Sequence, residues 1–263
     1  MLNWDPIARR LGTPAETNQW NDRYDGIWGG RNIFRFRSPY EDTRRRPGVR
    51  RVIALGDSFT WRSKIASSDS TWPALLERIM AHAPNARPTE VINMAHGCYA
   101  TGNEAEELRR KSAILELLEH ALTARFYSAV DLNRKYYAPG SPAWLDAQRG
   151  FREMGDSASR YCTPILLVLY PYLFPGRWTL ETYPERDIHR LVADVGRRAG
   201  FEVPDLLPAF VAAGRDFEDW WGTAYDSHPG GAAQALTAMA IAGYLEEHRL
   251  LPDSSGGAGR CGP

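Results

Sequence analysis

Apolar runs short enough to be strands alternate along this chain with stretches of helical period, and that alternation leaves few folds open. "RVIALG" is an apolar run ending at Gly56, read as a buried strand. "STWPALLERIMAH" predicts a helix, with Ser70 or Thr71 as N-cap, Pro73 in the first turn, and Leu75, Leu76, Ile79 and Met80 on one face. "TEVINMA" is a second strand, after which a helical period runs from Leu108 through Ile114, Leu117, Leu122 and Phe126 to Val130. "TPILLVLYPYLF" has the strongest strand character in the chain. "TYPERDIHRLVADVGRRAG" predicts a helix with Pro184 near its start, Ile188, Leu191, Val192 and Val195 inside, and Gly200 as C-cap. "FEVPDLL" is a last strand and "GGAAQALTAMAIAGYLEEH" a closing helix. Strands near 51–56, 90–95, 164–171 and 201–206, separated by helices, predict an α/β domain whose parallel sheet is covered on both faces. In such sheets sites form at the carboxyl ends of strands, which is where Ser58 falls.

At 263 residues the chain is long enough for one large or two small domains with a real core. Residues 1–50, rich in Arg, Asn, Gly and Pro, read as an irregular arm; 51–250 form the α/β domain; 251–263, containing "PDSSGGAGRCGP", read as a disordered tail. The formal net charge is zero, so the global balance gives no pull toward nucleic acid or an anionic membrane. The basic run "RRRPGVRR" reads as a solvated lead-in to the first strand. Cys98, Cys162 and Cys261 are an odd count without close spacing, so neither a zinc pattern nor a disulfide framework follows, and no metal or cofactor is expected. "MLNWDPIARRLG" lacks the apolar core of a signal peptide, and no stretch is apolar enough to span a bilayer. As written, the chain is expected to be soluble and cytoplasmic; a start site placed too far downstream would hide an export signal.

A serine hydroxyl is a weak nucleophile until a base takes its proton. Ser58, in "LGDSFT", stands where a strand turns into a helix. His228, in "YDSHPGG", is the base that sequence order suggests, and Asp226 two residues earlier suits the other imidazole nitrogen. A lone Gly-Asp-Ser is a common turn, and a lone Asp-x-His-Pro is commonly a turn or a helix cap. One after the first strand and one before the last helix of an α/β chain is a rarer pairing.

These two segments resemble blocks of the SGNH, or GDSL, hydrolases, a family of esterases, lipases, carbohydrate deacetylases and some O-acetyltransferases. "LGDSFT" matches the block that carries the nucleophile, which implies that role for Ser58. "DSHP" resembles the last block, which implies His228 as base and Asp226 as its orienting acid. The single residue between Asp and His resembles the branch with alginate O-acetyltransferase-like proteins. "NIFRFRSPYE" resembles the segment that precedes the first strand in many bacterial members. The resemblance spans most of residues 28–248. It implies a three-layer, flavodoxin-like α/β/α fold and cofactor-free attack on a small-molecule or glycan acyl ester.

The chain departs from the family in two blocks. The glycine whose N–H helps bind the oxyanion reads Cys98 here, with Gly97 before it, while Asn93 and Tyr99 keep register. The implied donors are therefore the N–H groups of Ser58 and Cys98, with Gly97 beside them. The strand ending in G-x-N-D, whose Asn completes the oxyanion hole, has no counterpart. The helical spacing from Ile114 to Val130 predicts that this strand is deleted, with its roughly 30-residue βαβ unit. Asn133 in "SAVDLN" is one rescue; its other reading is a helix end. His96 and Tyr99 either flank the pocket or are loop residues. Trp61 either walls an acyl or sugar site or packs on the following helix. His189 reads as solvated in an amphipathic helix. Two rivals to an esterase stay open: an O-acetyltransferase acting on a glycan, and an inactive SGNH-like binding protein.

Overall fold

The protein is described here by a computed structural model covering residues 48–61, 70–83, 87–95, 129–160, 164–223 and 226–250. These fall into two compact units. One holds the described residues of Met1–Tyr99, Leu173–Arg177 and Ala213–Gly257; the other holds those of Ala100–Tyr172 and Trp178–Ala212.

In the first unit β1 (Arg50–Ala54) pairs in parallel with β2 (Thr89–Asn93), Val52 opposite Val91 and Ala54 opposite Asn93. All five residues of β2 are buried. β1 is less enclosed than its apolar sequence predicts: Ile53 is 47 % exposed, on the face opposite Val52 and Ala54. Arg51 and Glu90 are cross-strand partners, and Arg51 Nε donates to Glu90 Oε2 at 2.9 Å. After β1 comes one helical turn, α1 (Ser58–Trp61), and then α2 (Trp72–His82). The buried stripe of α2 runs through Trp72, Leu76 and Met80 at four-residue spacing. Ile79, expected on that stripe, lies at its edge and is 38 % exposed. Thr71 is the N-cap, as one of the two expected, but its side chain makes no cap bond. The Trp72 N–H donates instead to Gln234 Oε1 at 2.7 Å. Gln234 belongs to α7 (Gly231–Glu247), which packs against α2 and buries Ala233, Thr237, Ala238 and Ile241. Ahead of it a 3₁₀ turn (Phe217–Trp220) leads into an antiparallel hairpin of β3 (Trp221–Thr223) and β4 (Asp226–Pro229).

The second unit contains α3 (Ala129–Tyr136), α4 (Pro142–Arg160), α5 (Arg186–Arg198) and α6 (Leu207–Ala212). Its two extended segments, near 165–169 and 202–206, pair in parallel through the bridges Leu166–Glu202 and Leu169–Asp205. Sequence predicts full strands here. The ladder is interrupted because Pro204 has no N–H to donate, although its carbonyl accepts from Leu169 N–H at 2.9 Å. Trp144, Phe151 and Met154 of α4 and Ile188, Val192 and Val195 of α5 close one core with Leu169, Phe201 and Val203. Gly200, with φ +82°, ends α5 just past its C-cap Ala199. Residues 129–160 hold no strand between the helices. Most of the helical period expected from Ile114 onward lies outside the described residues.

Candidate active site

The segment after β1 must reverse within three residues, and each contributes. Gly56 adopts φ +154°, and a Cβ there would lie 2.8 Å from Thr60 Cβ, so only glycine lets the turn close. Asp57 caps α1: its Oδ1 accepts from Phe59 N–H at 2.9 Å, and its carbonyl accepts from Trp61 N–H at 2.8 Å. Burial pushes the Asp57 carboxyl above its ordinary range, while the Phe59 N–H and the neighbouring His228 pull it back down. Ser58 is the first residue of α1.

A helix of one turn leaves its carbonyls without partners of its own. Two buried side-chain amides supply them. Asn93, at the end of β2, donates from Nδ2 to Thr60 O at 3.1 Å, and its Oδ1 accepts from Ala95 N–H. Gln234, fully buried, donates from Nε2 to Phe59 O at 3.1 Å. Trp61 is buried, at 6 % exposed.

His228 sits in β4, and its Nε2 lies 2.9 Å from Ser58 Oγ across 170 residues of sequence. Both residues are half-buried. The Phe59 ring packs against the imidazole at 5.5 Å between centroids. The hairpin is held at its base: Gly230 N–H donates to Trp220 O at 2.7 Å, and a Cβ on Gly230 would come 2.7 Å from Trp221 O. Trp221 Nε1 donates to Leu173 O at 2.7 Å. Asp226 occupies the first position of β4, two residues before His228. Gly97 and Cys98, with His96 and Tyr99, lie outside the described residues.

In the second unit Asn133 lies in a helix, as one of its two readings has it, whereas His189 corrects the sequence reading. Asn133 is in the body of α3, and its Nδ2 donates to Glu185 Oε1 at 2.7 Å, so its amide is committed there. His189 is not solvated. It is 8 % exposed, its Nδ1 lies 2.9 Å from Asp205 Oδ1, and its ring meets Tyr183 edge-on. Burial raises the Glu185 carboxyl, against the pull of the Asn133 amide and His189. Asp57, Asn93 and Gln234 were not assigned roles from sequence. Asp57 carries the usual signal of an N-cap, an acidic residue directly before a helix, and Gln234 is a lone amide in an Ala-rich helix. Among the described residues no three His, Cys, Asp or Glu side chains converge as metal ligands. No helix of the described residues is long and apolar enough to cross a membrane.

No family model and no curated protein sequence matches the chain. Solved structures do. LAE5, an alpha/beta hydrolase enzyme from the metagenome of Lake Arreo, Spain, superposes with a TM-score of 0.51 at 14% identity, over 78% of this chain and 97% of its own. TesA superposes with a TM-score of 0.51 at 18% identity, over 75% of this chain and 99% of its own. The chain therefore shares the α/β fold of these two solved structures.

Proposed function

We propose that residues 51–250 form a serine-dependent hydrolase of small-molecule or glycan O-acyl esters. The observation that carries this reading is the 2.9 Å contact between Ser58 Oγ and His228 Nε2. Proton transfer to a base needs a separation of about 2.6–3.2 Å. Ser58 attacks the ester carbonyl carbon while His228 takes the hydroxyl proton. The tetrahedral oxyanion is met by the N–H groups of Ser58 and Cys98, with Gly97 beside them. Collapse expels the alcohol, which receives the proton back from His228. Water, activated by the same imidazole, then releases the acid and frees Ser58. Asp226 is assigned as the acid that orients His228. The fold shared with LAE5, described as a hydrolase, agrees with this assignment.

Turnover is expected to be weak. A missing oxyanion donor typically costs about 10²–10³ in rate, and the Asn133 amide is held by Glu185. A fluorophosphonate probe tests the reading. Labelling should require both Ser58 and His228, being lost in Ser58→Ala and in His228→Ala. Hydrolysis of p-nitrophenyl acetate should exceed the Ser58→Ala control yet stay well below an ordinary ~10 per second. A chain that labels no faster than Ser58→Ala is not a serine hydrolase.

A further inference from the structure

Resting on the serine-hydrolase reading above, we propose that Gln234 is a positioning residue that sets the separation of Ser58 and His228. Its side chain is fully buried and uses both ends: Oε1 accepts from Trp72 N–H at 2.7 Å, and Nε2 donates to Phe59 O at 3.1 Å. Phe59 follows Ser58 directly, and its ring packs on His228. Gln234 lies in the first turn of α7, six residues after His228.

The two amides that hold α1 do different work. Asn93 ties Thr60 O to β2, the strand paired with the one from which the turn emerges. It fixes Ser58 against that pair of strands. Gln234 ties Phe59 O to the helix that continues from the His228 segment. It relates the nucleophile turn to the base. An amide can accept at one end and donate at the other; a carboxylate or a hydrocarbon cannot do both. Misplacement of reacting groups by about 1 Å can cost on the order of 10²-fold in rate, so this link acts on chemistry without touching the substrate.

Two variants separate positioning from packing. Gln234→Met keeps the volume and loses both bonds. Gln234→Glu keeps the acceptor for Trp72 N–H and, when ionised, loses the donor to Phe59 O. A buried carboxyl titrates above its ordinary value of about 4. Once protonated, that carboxyl can again accept and donate. Fluorophosphonate labelling of Ser58 is measured per folded molecule from pH 8 to pH 5, as a ratio to the unmodified chain at the same pH. Gln234→Met should label at least about 10-fold more slowly at every pH. Gln234→Glu should show a similar deficit at pH 8 that narrows as pH falls. Equal rates in variants and unmodified chain overturn the inference, as does a deficit in Gln234→Glu that ignores pH. Failure of Gln234→Glu to fold at any pH also overturns it, because the amide would then be structural first. An unmodified chain that labels no faster than Ser58→Ala overturns the hydrolase reading itself. The two failures are thus distinct.

Discussion

Gly56 is where a single missing side chain decides the geometry of Ser58. Thr60 folds back over the Gly56 α-carbon, and a methyl group there would lie 2.8 Å from Thr60 Cβ and closer still to its hydroxyl. The φ of +154° adds a backbone conformation that residues with a Cβ rarely adopt. Thr60 cannot retreat freely, because its carbonyl is held by Asn93. Gly56→Ala should therefore rotate α1 as well as strain it. We expect a loss of about 1–3 kcal/mol in stability, the usual range for overpacking, with labelling of Ser58 falling further than the loss of folded protein explains. Thermal melts and probe labelling on the same samples check this. A variant that melts lower yet labels normally per folded molecule would show that α1 keeps its place without Gly56.

Helix packing in the second unit makes a similar demand between elements. A Cβ on Gly155 of α4 would come 3.2 Å from the carbonyl carbon of Ala199, and nearer to its oxygen, at the C-cap of α5. The obstacle is backbone, which cannot turn aside. Gly155→Ala should push α4 from α5 and cost about 1–3 kcal/mol, although alanine is otherwise the better helix former. A melting temperature equal to or above that of the unmodified chain would refute the close approach. Asp205 carries a second element-scale load, since its Oδ1 meets His189 Nδ1 at 2.9 Å and caps α6 through Leu207 N–H at 2.9 Å. Asp205→Ala should lose about 1–3 kcal/mol, and Asp205→Asn, which keeps an acceptor, clearly less. Equal losses in chemical denaturation would place the effect in charge rather than in the cap. What sequence could read at this scale was local. The apolar runs at 50–54 and 89–93, the helix bounded by Pro184 and Gly200, and the two motifs that bring Ser58 to His228 all signal themselves over a few residues. His189 shows the limit: its helix is amphipathic, but the partner that buries it is sixteen residues on, past a turn. Gln234 shows it more strongly, because its partners lie 162 and 175 residues away and no periodicity announces them. The weak ladder at 202–206 was readable in principle from Pro204, whose missing N–H outweighs the apolar run around it.

For the molecule as a whole, charge balance sets how pH will act. Lys and Arg number 32, as do Asp and Glu, so near neutrality no large net repulsion masks the behaviour of individual buried groups. Each unit holds a carboxyl whose folded pKa is raised: half-buried Asp57 in the first and buried Glu185 in the second, both chiefly by desolvation. A raised folded pKa means that the fold favours the protonated form. Its contribution is fully present below the unfolded value, about 3.9 for Asp and 4.3 for Glu, and is lost as pH rises through the folded value. In that window each group costs up to about 1.4 kcal/mol per pH unit. Asp57→Asn keeps an acceptor for Phe59 N–H, and Glu185→Gln keeps one for Asn133 Nδ2, while neither can ionise. Each variant should therefore gain stability relative to the unmodified chain as pH rises from 4, then level off once the raised pKa is passed. Because the two carboxyls share no hydrogen-bond partner, the double variant should show the sum of the two gains. Denaturant unfolding at half-unit steps from pH 4 to pH 8 measures all three differences. Gains that fall with pH would reverse the sign of the burial argument. A double variant whose gain differs from the sum would mean that the two carboxyls feel one another.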